Sequence, residues 1–397
     1  MLTDEKVKEL ADKYRTPMYV FDISELRQRV RSIKGILGKN IELCYAMKAN
    51  PFLVGCLSDL VDCIEVCSPG EQEICKKANI PDNKIIFSGV HKSKTDFQNL
   101  LKNDFTGLIT IESKLQFQYL VDTVQNSKSV DVIFRLTSGN QFGMDVDDFM
   151  YLVRECIKYP NIHFRGIHYF SGTQKKDLKL IRQEILSIND FVLTLKQNVN
   201  TDITRVEYGP GLFVDYFGDS IQADFNLLAD VSNILNQSCQ KNVVELGRYI
   251  SASCGYYITQ VVDLKRNKDI NYCIVDGGIH QVHFFGQILG IKVPKFKHIR
   301  LAPQKKVTNK DLWNVCGSLC TIHDYLLRNV ELESVNQGDL FIFENAGAYS
   351  MTESISLFLS RDLPLILLIN DENEFVVREH ISISNLNCVG SDINGLV

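Results

Sequence analysis

Eight short apolar runs, at 41–46, 63–67, 84–89, 107–111, 130–136, 163–170, 203–209 and 242–247, constrain this chain more than any other feature. Between most of them lie stretches with helical spacing, such as 70–78 and 181–197. Short β-rich runs alternating with helices imply parallel strands joined by crossovers. Eight such units over this length predict an α/β fold, a closed (β/α)8 TIM-like barrel. A doubly wound open sheet accommodates the same alternation and is the alternative. After Ser253 the pattern changes. Runs at 255–264, 272–275, 339–343, 365–369 and 374–378 follow without regular helices between them. They predict a C-terminal all-β domain with antiparallel pairing, which the early strand at 18–22 is a candidate to join. The expected division is a barrel over 24–255 and a β-domain from 1–23 and 256–397.

With 45% apolar and 23% charged residues over 397, the chain can bury a sizeable core. A formal net charge of −5 argues against nucleic-acid partners. Residues 1–16 are charged throughout, without the apolar stretch of a signal peptide. No apolar run reaches membrane-spanning length. Twelve cysteines without an export signal read as reduced thiols, so a cytoplasmic location is expected. Cys63/Cys67 and Cys316/Cys320 have no matching histidine pairs, and no metal site is expected.

In a barrel the chemistry collects at the C-terminal strand ends. The first run delivers Lys48 there. A lysine partly withdrawn from water has a lowered pKa and becomes an amine nucleophile suited to Schiff-base chemistry. The alternative is a lysine snorkelling at a strand rim. Unusual residues fall at six further strand ends: Glu65, Ser88-Gly89, Arg135, His168 with Phe170 and Ser171-Gly172-Thr173, Gly209-Pro210-Gly211, and Glu245-Leu246-Gly247-Arg248. The Gly-Pro-Gly turn lets backbone approach an anion, and with Thr173 and Arg248 it suits a phosphate. Taken alone, the motif reads first as a plain strand-to-helix turn. Glu245 suits a protonated ring nitrogen, or a surface salt bridge. His168 and Phe170 share a strand face, where either packs on an aromatic ring or fills barrel core.

Tyr45-Ala46-Met47-Lys48-Ala49-Asn50 resembles the pyridoxal-phosphate lysine motif of the fold-type III decarboxylases, the relatives of ornithine, arginine and diaminopimelate decarboxylases. The likeness continues in order. The segment 166–173 resembles the family's histidine loop, and Gly209-Pro210-Gly211-Leu212 its glycine-rich phosphate loop. Glu245-Leu246-Gly247-Arg248 resembles its Glu-Pro-Gly-Arg motif. Cys316 to Cys320 with Asp324 resembles the segment carrying the catalytic cysteine, and Ala346-Gly347-Ala348-Tyr349 the tyrosine motif near the phosphate. The resemblance implies pyridoxal 5'-phosphate held by Lys48, Glu65, Arg135, His168, Phe170, Thr173, Gly209, Gly211, Glu245, Gly247, Arg248 and Tyr349. It implies Lys48, Glu245 and Cys320 as catalytic residues, and His283, Thr321 and Asp324 near the substrate. It also implies a homodimer whose β-domain contributes to the interface and the active site.

The departures are specific. Phe170 stands where the family's stacking histidine does, Pro210 replaces a loop glycine, and Gln141 precedes Phe142-Gly143 where a lysine often does. Thr321 stands where ornithine and diaminopimelate decarboxylases carry an acid. The segment 276–285, with His283, Phe284 and Phe285, lacks the arginine-proline pair of the diaminopimelate enzymes. These departures are similar to a subgroup from specialised metabolism. It includes siderophore-pathway decarboxylases and an enzyme acting on a glutamyl group tethered to a carrier protein. The expected activity is removal of the α-carboxylate from an amino acid, conjugated or carrier-tethered. The basic residues Lys295, Lys297, Arg300, Lys305 and Lys306 are a candidate carrier surface or a solvated strand edge. Diaminopimelate decarboxylation and amino-acid racemisation are the alternatives. Racemisation needs an acid or base on each face of Cα, which the Cys316–Asp324 segment does not favour.

Overall fold

The computed structural model describes residues 2–124, 129–199, 203–218, 225–238, 240–301 and 310–388. After β1 (Met18–Asp22) come β2 (Ile41–Ala46), β3 (Cys63–Val66), β4 (Ile85–Phe87), β5 (Leu108–Ile111), β6 (Val130–Arg135), β7 (Ile162–Phe170), β8 (Arg205–Gly209) and β9 (Lys241–Leu246). Strands β2 to β9 form a closed parallel barrel. Closure is made by β9 against β2, with Ile41 opposite Asn242 and Tyr45 opposite Leu246. This register excludes the open sheet. Strands buried on both faces read as continuous apolar runs, which is why the sequence shows them so plainly.

The crossover helices are amphipathic. In the helix Val146–Cys156, Phe149, Leu152, Val153 and Cys156 are buried, three to four residues apart. Asp145 caps it by accepting from the Asp148 amide, and Asp147 and Asp148 sit in its first turn. Phe149 meets Phe134 of β6 and Phe164 of β7 edge-on, at centroid distances of 5.7 and 6.1 Å. Burying one such ring contributes about 2–3 kcal/mol.

Downstream strands are β10 (Gly255–Asn267), β11 (Ile270–Val275), β12 (Phe296–Ile299), β13 (Asp311–Cys316), β14 (Tyr325–Leu332), β15 (Leu340–Phe343), β16 (Leu365–Ile369) and β17 (Glu374–Arg378). With β1 they form one sheet in the order β14-β13-β11-β10-β1-β16-β17, with β15 pairing both β10 and β12. Its core includes Met18, Val20, Ile258, Ile342 and Leu367.

Two expectations are corrected. The sheet is mixed, because β1 pairs parallel with β16 and β11 parallel with β13. Both pairs join strands distant in sequence, where no hairpin dictates direction. Strands β12, β13 and β14 were not expected. The outer pair, β13 and β14, leaves Asp311, Leu312 and Asn329 exposed to solvent, and Asn329 has φ +52°, which interrupts the alternation.

The chain divides into two compact units. One comprises Arg27–Val214 with Gln222–Ile250, and the other Met1–Leu26, Asp215–Ile221 and Ser251–Val397.

Candidate active site

Lys48 lies in the 3-10 turn Met47–Ala49 that directly follows β2. Its Nζ donates to Glu65 Oε2 at 2.5 Å and to Glu245 Oε1 at 3.1 Å, with Cys67 Sγ at 3.9 Å. Both carboxylates are buried, whereas the lysine side chain is 39% exposed. The other oxygen of Glu245 lies 3.2 Å from His168 Nε2. Burial alone would raise the Glu245 pKa. The Lys48 ammonium and the His168 hydrogen bond outweigh it and hold the carboxyl well below its ordinary value. His168 Nδ1 is buried without a hydrogen-bond partner among the described residues. Residues from β2, β3, β7 and β9 thus meet in one group at the C-terminal mouth of the barrel.

The loop residues sit around the same mouth. Phe170 ends β7 and its ring lies on Gly209, where a Cβ would come within 2.6 Å of Cδ2. Gly211 has φ +60°, and a Cβ there would fall 1.9 Å from the Gly172 carbonyl oxygen, so the two loops pass in close contact. Thr173 is exposed on that loop. A Cβ on Gly247 would come within 3.0 Å of the Ala49 methyl. Arg248 begins the short helix Arg248–Ser251 and is buried.

Arg135 has different company. Its guanidinium pairs with Glu112 at 3.3 Å and lies over the Phe142 ring at 4.7 Å. Glu112, missed by the sequence reading, directly follows β5, the one barrel strand whose end had been passed over. Lys92 was missed as well. It is buried, its Nζ donates to the Gly89 carbonyl at 2.5 Å, and burial pushes its pKa down to about 8 against the opposing pull of Glu112.

The remaining candidates lie in the β-unit. Cys320 and Ile322 are exposed on the loop between β13 and β14, and Thr321 is half-buried there. Asp324 is buried, and its two oxygens accept from the Ile279 and Leu319 amides at 2.9 and 2.8 Å. Burial raises its pKa. That environment gives Asp324 the work of shaping the Cys320 loop. Half-buried His283 donates its amide to the Ser350 carbonyl. Phe284 is core, packed edge-on against Tyr216 at 5.5 Å. Tyr349 is half-buried with φ +63°. In the basic stretch, Lys297 pairs with Glu344 at 3.4 Å and Arg300 with Glu333 at 3.1 Å. Lys305 and Lys306 lie outside the described residues.

A family model described as "Pyridoxal-dependent decarboxylase, C-terminal sheet domain" matches residues 18–347. The diaminopimelate decarboxylase of Aquifex aeolicus is 26% identical over 367 residues, covering 88% of this chain and 85% of its own. The 2-[(L-alanin-3-ylcarbamoyl)methyl]-2-hydroxybutanedioate decarboxylase of Staphylococcus aureus is 25% identical over 381 residues, covering 90% and 94%. The L-glutamyl-[BtrI acyl-carrier protein] decarboxylase of Niallia circulans is 24% identical over 407 residues, covering 95% and 94%.

Proposed function

Because the chain belongs to the pyridoxal-dependent decarboxylase family, we propose that it removes the α-carboxylate of an amino acid whose far end is conjugated to a larger acid or tethered to a carrier. The observation that carries the site reading is the Lys48 amine seated between Glu65 and Glu245. The residues present fit pyridoxal phosphate. Lys48 supplies the amine that an aldehyde needs. Glu245 supplies the anion that a protonated pyridine needs. The closely packed Gly172 and Gly211 loops, with Thr173, Gly209 and Arg248, supply donors for a phosphate.

Bound pyridoxal phosphate supplies an electron-poor ring that takes up the pair left when the Cα–carboxylate bond breaks. The protein's residues do the rest. Glu65 and Glu245 orient Nζ of Lys48, and Glu65, the nearer of the two, takes its proton when the amine acts. Glu245 stays ionised, held by Lys48 and His168, and so keeps a ring nitrogen protonated. Phe170 offers an apolar face on which a ring packs, without a proton to exchange. Cys320 Sγ returns a proton to Cα, contributed across a homodimer interface. Ile322 is 83% exposed two residues from that exposed thiol, which supports a second copy covering the loop.

The substrate reading rests on missing charge partners. A distal ammonium in a desolvated pocket needs a carboxylate. Thr321 offers a hydroxyl, and both Asp324 oxygens already accept amides. Phe284 sits in the core, and Phe285 offers no guanidinium for a far carboxylate, for which His283 substitutes only in part. The deciding experiment compares kcat/KM for free diaminopimelate, a citrate-amide amino acid and a carrier-tethered amino acid. Turnover favouring either conjugate supports the reading. Faster turnover of free diaminopimelate overturns it and leaves decarboxylation standing.

A further inference from the structure

We infer that Gln174 is a positioning residue for the cofactor's phosphate, its side-chain amide clipping together the two loops that form the anion cradle; this rests on the reading of those loops given above. Gln174 has φ +60°, a left-handed conformation that side-chain-bearing residues seldom adopt. Gln174 Nε2 donates to the Val214 carbonyl at 3.0 Å, and Gln174 Oε1 accepts from the Val214 amide at 2.8 Å. One side chain therefore satisfies both main-chain groups of a residue forty positions away.

Around this clip the loops run side by side. The Lys175 amide donates to Gly211 O at 2.9 Å, and the Phe213 amide to Lys175 O at 3.1 Å. That pairing presses Gly211 against the Gly172 carbonyl. The first loop is anchored separately to the helix Leu178–Val199. Lys175 Nζ reaches Glu184 Oε2 at 2.7 Å, Tyr208 donates to the same oxygen at 2.6 Å, and Ser171 also donates to Glu184. Glu184 thus fixes where the first loop lies, and Gln174, together with the Lys175 main-chain pairing, fixes where the second lies relative to it. Without the clip, the 174 backbone can relax to an ordinary φ and the carbonyl at 172 can draw away from Gly211. The groups bracketing a phosphate would spread, while the Lys48–Glu65–Glu245 group, on other strands, would stay in place.

The test uses the full chain freed of cofactor and compares dissociation constants for pyridoxal phosphate and for pyridoxal, which lacks the phosphate. Gln174→Ala removes the clip at a strained backbone. Gln174→Gly removes it while tolerating the positive φ, so it also guards against a variant that fails to fold. Both should weaken pyridoxal phosphate by about tenfold or more and leave pyridoxal within about twofold. Equal weakening of both ligands, or a Gln174→Gly protein that discriminates as the wild type does, overturns the inference. A wild type that binds both forms equally would remove the cradle reading as well as the clip.

Discussion

Replacing Lys92 with methionine should change how stability responds to alkaline pH. Lys92 is 3% exposed, and its pKa falls from 10.5 to about 8, burial being the main cause. The folded-state value lies below the unfolded one. Between about pH 8 and 10.5 the unfolded chain therefore holds more protons, and stability rises with pH through that window. Below pH 8 the burial penalty is fully present. The gap from 10.5 to about 8, at about 1.4 kcal/mol per pH unit, is about 3 kcal/mol. Methionine fills similar volume without a charge and escapes that penalty. The unfolding free energy of Lys92→Met minus that of the wild type should thus be about 2 kcal/mol larger at pH 7.5 than at pH 10. Taking the difference between the two proteins cancels the other groups that titrate in this range. Urea unfolding at both pH values, at fixed protein concentration, measures it. A difference that stays flat, or that grows toward pH 10, would refute the reasoning.

Borohydride reduction in the presence of pyridoxal phosphate should fix the cofactor to the peptide containing Lys48, seen by mass spectrometry; attachment to another lysine would contradict the site. Mixing Lys48→Ala and Cys320→Ala chains under subunit exchange should restore about a quarter of wild-type activity, because about half the dimers are mixed and each carries one intact site. Exchange without recovery would count against a shared site.

The barrel was legible because its strands are buried on both faces and its crossover helices keep an apolar stripe. What separates it from an open sheet is the β9–β2 register, a contact between chain segments about 200 residues apart that no local pattern encodes. Lys48, His168 and Glu245 were legible from strand ends, and the structure brings them together. Lys92 was not. Its surroundings, Val90-His91-Lys92-Ser93-Lys94, read as a polar turn, and only the folded chain shows which lysine is buried. Gln174 was equally opaque, because a clip between two loops has no periodicity. Strands β13 and β14 escaped notice because a solvent-facing edge relaxes the demand for apolar alternation.

The pairing of β1 with β10 and β16 has a consequence for synthesis. All five residues of β1 are buried between those two partners. Yet β1 leaves the ribosome more than 230 residues before β10 begins, since Phe21 pairs with Gly255. At roughly 5–20 residues per second, an apolar strand waits about 12–50 seconds for its first neighbour and longer for β16. The barrel, whose sequence lies wholly inside that interval, can close meanwhile. The nascent chain therefore carries an unpaired sticky segment throughout synthesis of the barrel. A premature stop anywhere before residue 365 leaves β1 without β16, an open strand edge prone to aggregation.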